Sequence, residues 1–436
     1  MKKFAEGFML GAATAAHQVE GNNIYNDYWA QEQVPHSMFN EPSLDAVDHY
    51  NRYEEDIRLM AQAGLNTYRF SIEWARIQPE KDAWDENEVE HYRKVLKCCH
   101  ENGVRPIVTM MHFSSPKWLI SMGGWENPEV VDLFASYCRR LVGELGDQME
   151  YVCTINEANM RLQLAALMQE MMKRMSGAQG AGTDKAAAGG SESDVQVGIN
   201  LNKENMMLGM VECAQAFGLK DPRDMHTFVS QCTPEGDLLV MKAHEAARDA
   251  MKEECPHLKI GLTLSLHDMV ARPGGEKFAE KEWDDEFLHY LPYIEHDDFL
   301  GVQCYTRKFF DGNGVAEAPA GSARTQMGYE DYPAAISDVV RKVAERFKGD
   351  LIVTENGIAT DNDARRCEFI REAVDGLVQC IEDGIPLKGY MYWSLLDNFE
   401  WQKGFSMTFG LIAVDRATQT RHPKESLKVL GSLIEQ

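Results

Sequence analysis

The chain has 436 residues, 44 % of them hydrophobic, and a formal net charge of −25. So much negative charge repels phosphate backbones and anionic lipid headgroups, which argues against nucleic acid or a membrane surface as a partner. No window approaches the roughly 18 apolar residues of a membrane span. Glu6 and Gly7 interrupt the apolar N-terminal run, so we expect a soluble, cytoplasmic protein. The ten cysteines lack zinc-type spacing and are expected to be reduced and mostly buried.

Eight short apolar runs follow one another along the chain and predict strands. They are FMLGAATAA, NTYRFSI, RPIVTMM, YVCTIN, KIGLTLSL, FLGVQCY, LIVTEN and GYMYWSLL. Amphipathic helices separate several of them, including one from Glu88 to Asn102 and one with Asn127 as N-cap and Pro128 at its first position. Buried strands that alternate with helices predict an α/β fold, namely a single-domain (β/α)8 TIM barrel over residues 1–436.

One segment, at about 160–237, departs from this alternation. It holds a Met-rich stretch (LMQEMMKRM), a run rich in Gly, Ala and Ser (SGAQGAGTDKAAAGGSESD) and a second Met-bearing stretch (ENMMLGM). The middle run has the composition of a flexible linker. Two interpretations stay open, an inert insertion and a flap over the barrel mouth. The position directly after Glu157 favours the flap.

Two glutamates lie where predicted strands end, Glu157 after YVCTIN and Glu355 in LIVTEN. In a parallel barrel these strand ends form the face that carries function. The pair alone is compatible with core ion pairing, with metal ligation, or with an acid/base and a nucleophile. Metal ligation is the weaker interpretation, because no HExxH motif, acidic loop or histidine cluster accompanies the pair.

Polar and aromatic residues near other strand ends favour a sugar site. Neutral donors, acceptors and flat apolar faces suit the hydroxyls and the C–H face of a pyranose. The candidates are Gln18, His112, Asn156, Tyr305, Asn356, Trp393 and Trp401. A retaining glycosidase needs one carboxylate as nucleophile and one carboxylic acid as proton donor. We expect Tyr305 and Arg69 to keep Glu355 ionised, and the charge of Glu355 to raise the pKa of Glu157.

Six longer motifs, in their order along the chain, resemble glycoside hydrolase family 1, whose members are β-glycosidases on a (β/α)8 barrel. They are FMLGAATAAHQVEG, LNTYRFSIEWARIQP, MHFSSPKWL, TINEAN, VTENG and YWSLLDNFEWQKGF. The resemblance implies Glu157 as acid/base and Glu355 as nucleophile, with Asn156 at the sugar 2-hydroxyl. It further implies that the non-reducing sugar is bound by Gln18, His112, Trp393, Glu400 and Trp401.

Some positions depart from the family pattern. In its phospho-glycosidases the position of Glu400 is usually small, and a Lys and a Tyr bind the 6-phosphate where this chain has Met407 and Phe409. Because Glu400 would repel a phosphate, we expect an unphosphorylated sugar. Gln303 replaces an asparagine that often completes the sugar site. The segment after Glu157 is longer than the family norm and the segment after SLHDMV is shorter, both where the family builds its aglycone site.

The resemblance implies a retaining β-glycosidase that hydrolyses unphosphorylated β-D-glucosides, with galactosides or fucosides as further substrates. It implies no cofactor and no metal, with a small-molecule glycoside as the partner; a homo-oligomer is compatible with the sequence. The methionines of the flap predict an aryl or otherwise hydrophobic aglycone. Two alternatives stay open: a sugar-binding barrel without catalysis, and a transglycosidase or β-glucuronidase-like enzyme, the latter requiring a cation such as Lys403 near Glu400.

Overall fold

The computed structural model of the protein describes residues 2–177, 195–200 and 204–435. Within this part, eight strands form a barrel at the places that the apolar runs predict. They are β1 (Met9–Ala13), β2 (Thr67–Ser71), β3 (Arg105–Met111), β4 (Tyr151–Ile155), β5 (Lys259–Gly261 and Thr263–Ser265), β6 (Phe299–Gln303), β7 (Asp350–Asn356) and β8 (Leu387–Trp393). Nearly all strand residues are buried, which explains why each strand is a continuous apolar run.

The barrel strands pair in parallel with their neighbours in chain order. Strand β5 is interrupted at Leu262, so that its first half pairs with β4 and its second half with β6. Strand β1 pairs with β8, from Met9 opposite Gly389 to Ala13 opposite Trp393. The sheet is therefore a closed ring, and the predicted (β/α)8 barrel is confirmed. Parallel strands bring all their C-terminal ends to one mouth.

An outer helix follows each barrel strand. These helices are His49–Gln62, Glu86–Glu101, Val130–Leu145, Pro234–Glu254, Glu276–Glu286, Ala335–Ala344, Asp363–Glu382 and Glu425–Gly431. Further helices lie in the connections: Ala16–Val19, Asp27–Glu32, Trp74–Ile77, Lys117–Ser121, Met160–Gly177, Met206–Ala216 and Leu291–Ile294. Two small sheets also lie there, one of Asp268–Ala271, Arg307–Asp311 and Gly314–Ala316 and one of Ile412–Asp415 and Thr420–Pro423.

The two predicted helix bounds differ in accuracy. The helix predicted from Glu88 to Asn102 is confirmed as Glu86–Glu101. The next helix begins at Val130, so the prediction of Pro128 as its first residue is wrong by two positions. The carbonyl of Asn127 accepts the N–H of Val130, three residues on. The chain thus makes one tighter turn before α-helical hydrogen bonding starts.

The segment at 160–237 is partly folded into helices that the sequence did not predict. Met160–Gly177 and Met206–Ala216 are helical. Between them, the irregular stretch Val195–Asn200 is buried at the barrel mouth. The Gly/Ala/Ser-rich run at 178–194 lies outside the described residues, as do the side chains of Met171, Met172 and Met175. The predicted linker and most of the predicted flap therefore stay predictions.

The cysteines are mostly buried, as the sequence predicts. All ten cysteines are free, eight of them buried and two partly buried. Burial raises the pKa of several, for example that of Cys99, and so disfavours the reactive thiolate.

As for membranes, the described residues include no helix that combines the length and the apolar character needed to span one.

Candidate active site

Both candidate glutamates lie at the C-terminal mouth of the barrel. Glu355 belongs to β7, and Glu157 follows the end of β4 by two residues. Their relative exposure is only 4 % and 3 %. They line one pocket together with His112, Phe113, Asn156, Gln196, Val197, Tyr305, Trp393, Glu400, Trp401 and Phe409. Residues from distant parts of the chain thus meet there because parallel strands end on one face.

Glu355 is held by two donors. Arg69 Nη1 donates to its Oε1 at 2.6 Å, and the Tyr305 hydroxyl donates to its Oε2 at 2.7 Å. Burial raises the pKa of Glu355, and the charge of Arg69 with the hydrogen bonds from Tyr305, Arg69 and Gln303 offsets only part of that rise. Arg69 is itself fully buried, so water screens its attraction for the carboxylate very little. Both partners that the sequence predicts for Glu355 are in contact with it.

Glu157 has different surroundings. Burial raises its pKa well above the ordinary value, and the negative charges of Glu355 and Glu400 raise it further. A hydrogen bond with Ser265 and the more distant charge of Arg69 act in the opposite direction. Since Arg69 contacts Glu355 directly, the negative charge is better stabilised on Glu355. Of the two carboxyl groups, Glu157 is the one that retains a proton.

The turn that carries Glu157 is fixed by β5. Glu157 has φ of +44°, in the left-handed region that few residues other than glycine adopt. Its N–H donates to Thr263 Oγ1 at 2.9 Å, and the next N–H, of Ala158, donates to the Thr263 carbonyl at 3.0 Å. A strained backbone persists only where its surroundings hold it, and such residues are frequent at active sites.

Asn156 connects several polar side chains at the base of the pocket. Its Oδ1 accepts from Arg69 Nη2 at 2.6 Å, from Gln303 Nε2 at 2.9 Å and from Thr263 Oγ1 at 3.1 Å. Its Nδ2 donates to His112 Nε2 at 3.1 Å. Burial and the charge of Arg69 keep the pKa of His112 well below its ordinary value. A neutral His112 that accepts at Nε2 carries its proton on Nδ1, which has no partner among the described residues.

A third acid, Glu400, lies beside Gln18. Gln18 Nε2 donates to the Phe399 carbonyl at 2.7 Å and is 3.4 Å from Glu400 Oε2. Its Oε1 is buried and, within the described part of the chain, unpaired. Burial and then the charge of Glu355 raise the pKa of Glu400 to about 8. An unpaired amide oxygen next to a buried carboxyl suits the hydroxyls of a sugar and disfavours an anion.

Aromatic rings complete the wall of the pocket. Trp393 and Trp401 stack against His112 at centroid distances of 5.7 and 6.1 Å. Phe409 lies edge-on to Tyr305 at 6.0 Å. Flat apolar faces beside hydroxyl partners are what a pyranose requires.

The structure brings the predicted site residues to this mouth with one exception, Asn356, which lies outside the lining and bonds to the Cys304 carbonyl and the Tyr390 hydroxyl. Most line the pocket, whereas Gln18, Arg69 and Gln303 stand behind the lining and hydrogen-bond to it. Lys403 donates from Nζ to Asn200 Oδ1 at 3.0 Å. The described residues include no group of three or more His, Cys, Asp and Glu side chains that could hold a metal ion.

Sequence reasoning missed two kinds of site residue. Thr263 and Ser265 could have been predicted, because they are polar residues on one face of an otherwise apolar strand. Gln196 and Val197 could not, since they belong to a segment without family-like motifs. Among the described residues, the pocket lining contains no methionine, so its apolar contribution from the segment at 160–237 is Val197.

Known proteins are similar to this chain over nearly its whole length. The model for glycosyl hydrolase family 1 matches residues 1–171 and 296–436. β-Glucosidase A of Thermotoga maritima is 29 % identical over 454 residues, covering 98 % of this chain and 96 % of that protein. The β-glucosidase of an Agrobacterium species is 27 % identical over 488 residues, covering 99 % of this chain and 95 % of that protein.

Solved structures give the same result. The crystal structure of β-glycosidase BGL167 is 41 % identical, with a TM-score of 0.86 and coverage of 98 % of this chain and 96 % of that one. The β-glucosidase of T. maritima in complex with cyclophellitol is 26 % identical, with a TM-score of 0.79 and coverage of 99 % and 98 %. The chain therefore belongs to glycosyl hydrolase family 1 and is a β-glycosidase.

Proposed function

We propose that the protein hydrolyses unphosphorylated β-D-glucosides by double displacement, with retention of configuration at the anomeric carbon. The observation that carries the proposal is the unequal environment of two buried carboxyl groups in one pocket. Arg69 and Tyr305 stabilise negative charge on Glu355, whereas burial and neighbouring acids favour the protonated form of Glu157. Carboxyl groups with pKa values separated in this way match the roles of nucleophile and proton donor.

The two steps use the same pair of groups. In the first, a carboxylate oxygen of Glu355 attacks the anomeric carbon while Glu157 gives its proton to the glycosidic oxygen, so the bond to the aglycone breaks and the aglycone leaves as an alcohol. In the second, the Glu157 carboxylate takes a proton from water, whose oxygen displaces Glu355 from the sugar. The enzyme regains its starting protonation state and the sugar is released with the β configuration.

Polar groups around the pocket that can bond to sugar hydroxyls support an uncharged sugar as the substrate. The unpaired Oε1 of Gln18 and Nδ1 of His112 each offer one hydrogen bond, and Glu400 offers a buried carboxyl. Glucosides are the proposed main substrates, with galactosides or fucosides as secondary ones. An aryl or other hydrophobic aglycone is proposed from the methionine-rich composition of the segment at 160–237, which follows Glu157 directly.

The preference for an unphosphorylated sugar is expected to be large. Burying a phosphate dianion in this pocket costs several kcal/mol unless a cation intervenes, and the described lining contains no Lys or Arg, so kcat/KM should be at least about a hundredfold lower on a 6-phosphoglucoside than on the matching glucoside. Initial rates on the two nitrophenyl compounds, which share one leaving group, measure this ratio. An equal or higher kcat/KM on the phosphorylated compound would exclude the proposed substrate class.

Removal of the Tyr305 hydroxyl is expected to move the acid limb of the pH–activity profile to higher pH. Activity falls at low pH when Glu355 gains a proton and at high pH when Glu157 loses one. Tyr305→Phe keeps the ring but removes a hydrogen bond that lowers the pKa of Glu355, so Glu355 gains its proton at a higher pH.

The measurement is kcat/KM for nitrophenyl β-D-glucoside across the pH range. Tyr53→Phe on the outer helix His49–Gln62 is the matched control and should leave both limbs in place. If the acid limb of the kcat/KM profile is unchanged or moves to lower pH in Tyr305→Phe, protonation of Glu355 is not what lowers activity at low pH.

A further inference from the structure

The stretch Val195–Asn200 crosses the mouth of the barrel, and we call it the mouth strap. All six of its residues are buried, although none belongs to a helix or a strand. Side chains at its two ends and the backbone at its centre bond to different parts of the mouth. The strap is therefore a fixed part of the pocket wall in this structure.

The first end of the mouth strap is attached to β5 and β6 through Gln196. Its Oε1 accepts the N–H of Tyr305 at 2.6 Å. Its Nε2 donates to Ser265 Oγ at 2.9 Å and to the Leu266 carbonyl at 3.1 Å. Ser265 also hydrogen-bonds Glu157. This end thus lies directly behind the two catalytic candidates.

The second end is attached to the loops that follow β1 and β8. Asn200 Nδ2 donates to the carbonyls of Met38 and Gln402 at 2.8 and 2.7 Å. Its backbone N–H donates to Gln402 Oε1 at 2.7 Å, and its Oδ1 accepts from Lys403 Nζ at 3.0 Å. Asn200 is outside the pocket lining, so it holds the mouth strap without contacting the site itself.

The centre of the mouth strap lies against Glu400. The N–H of Gly198 donates to the Glu400 carboxyl, and the Gly198 carbonyl accepts the N–H of Gln402 at 3.0 Å. A Cβ at Gly198 would lie 2.5 Å from the backbone oxygen of Glu400 and 3.1 Å from its Cγ. A backbone oxygen cannot move aside as a flexible side chain does. Only glycine therefore allows the strap to sit this close to Glu400.

The mouth strap leaves too little space for a sugar. Val197 lines the pocket beside Glu157, Glu355 and Glu400, and the cavity that remains has about 20 Å³. Such a volume holds about one water molecule, which is far smaller than a pyranose. Val197 and Gly198 also line a second cavity, of about 10 Å³. Neither space admits a glycoside while the strap is in place.

We propose that Val197 and Gly198 act as an internal competitor of the glycoside, occupying the sugar-binding part of the site until the mouth strap moves off Glu400. The proposal rests on the proposed function, because it takes Glu400 as a sugar-binding group. On displacement, a sugar hydroxyl replaces the Gly198 N–H as the partner of Glu400. The apparent affinity is then the intrinsic affinity reduced by the fraction of molecules in which the strap is displaced.

Gly198→Ala tests the proposal because the added methyl group cannot fit against Glu400. The full-length variant should show a KM for nitrophenyl β-D-glucoside about tenfold lower than the wild type, since a larger fraction of molecules is open. The Kd for deoxynojirimycin, measured by calorimetry, should fall by a similar factor, with little change in kcat. Gly312→Ala is the matched control, because a Cβ there meets nothing within 4 Å, and both constants should stay unchanged.

Asn200→Ala is a second, independent variant that keeps Gly198. It removes the side-chain bonds that anchor the mouth strap, so KM and Kd should fall in the same direction, by a smaller factor. A rise of both constants in either variant would show that the strap is part of the sugar site, and unchanged constants in both would show that it is not a competitor. Absence of β-glucosidase activity in the wild type would instead contradict the proposed function.

Discussion

Glu355→Ala is expected to lower kcat/KM for aryl β-D-glucosides by at least about four orders of magnitude, as loss of a covalent nucleophile typically does. Glu355 alone in the pocket combines direct contact with Arg69 and a hydrogen bond from Tyr305. Its removal takes away the group that would form the glycosyl–enzyme bond. Steady-state rates on nitrophenyl β-D-glucoside measure the loss, with the exposed Glu345→Ala as a control that should retain full activity.

The same residue should be labelled in the wild type. Incubation with a 2-deoxy-2-fluoro β-glucoside bearing a good leaving group should add one sugar mass to the peptide that contains Glu355, because the fluorine slows hydrolysis of the intermediate. Proton NMR of the first product formed from a glucoside should show the β anomer. A label on another residue, or an α anomer as first product, would rule out the double displacement on Glu355.

Glu157→Ala is expected to lose activity according to the leaving group. Alkyl glucosides need protonation of the departing oxygen, so kcat/KM on them should fall by about two to four orders of magnitude. The aglycone of a dinitrophenyl glucoside leaves as a stable dinitrophenolate anion, so the first step on this substrate should slow far less. The basic limb of the pH profile should disappear as well, because it reports the loss of the Glu157 proton.

Azide provides the decisive readout for Glu157→Ala. A small anionic nucleophile attacks the glycosyl–enzyme without the help of a general base, so added azide should restore turnover and yield β-glucosyl azide. Azide should leave the Glu345→Ala control unaffected. Equal losses on all leaving groups, together with no rescue, would assign the acid/base role to another residue.

The barrel could be predicted because its strands are buried on both faces and therefore appear as continuous apolar runs. The break in β5 at Leu262 was not predicted, although Gly261 directly before it is a residue type that often marks an irregularity within a strand. It also left Met160–Gly177 without a helix assignment. Methionine and alanine favour helices, but the stretch lacks the clear apolar stripe by which amphipathic helices are recognised.

The residues that line the pocket were predictable where they lie in short, ordered motifs. Glu157 and Glu355 each follow an apolar run, and the contacts of Glu355 with Arg69 and Tyr305 were expected from their places at other strand ends. Gln196 could not be found in this way. Gln196 accepts a hydrogen bond from Tyr305, which is 109 residues away in the sequence. A single contact of a residue outside any helix or strand produces no periodic sequence pattern from which it could be predicted.

The broken strand β5 lies within 172–295, the part of the chain that the family model leaves unmatched. Yet β5 closes the ring between β4 and β6, and through Thr263 it fixes the turn of Glu157. Exchange of this region between relatives would therefore replace a strand of the barrel as well as the loops around the pocket. Because Thr263 and Ser265 both hydrogen-bond Glu157, such an exchange would also alter the surroundings of the proposed proton donor.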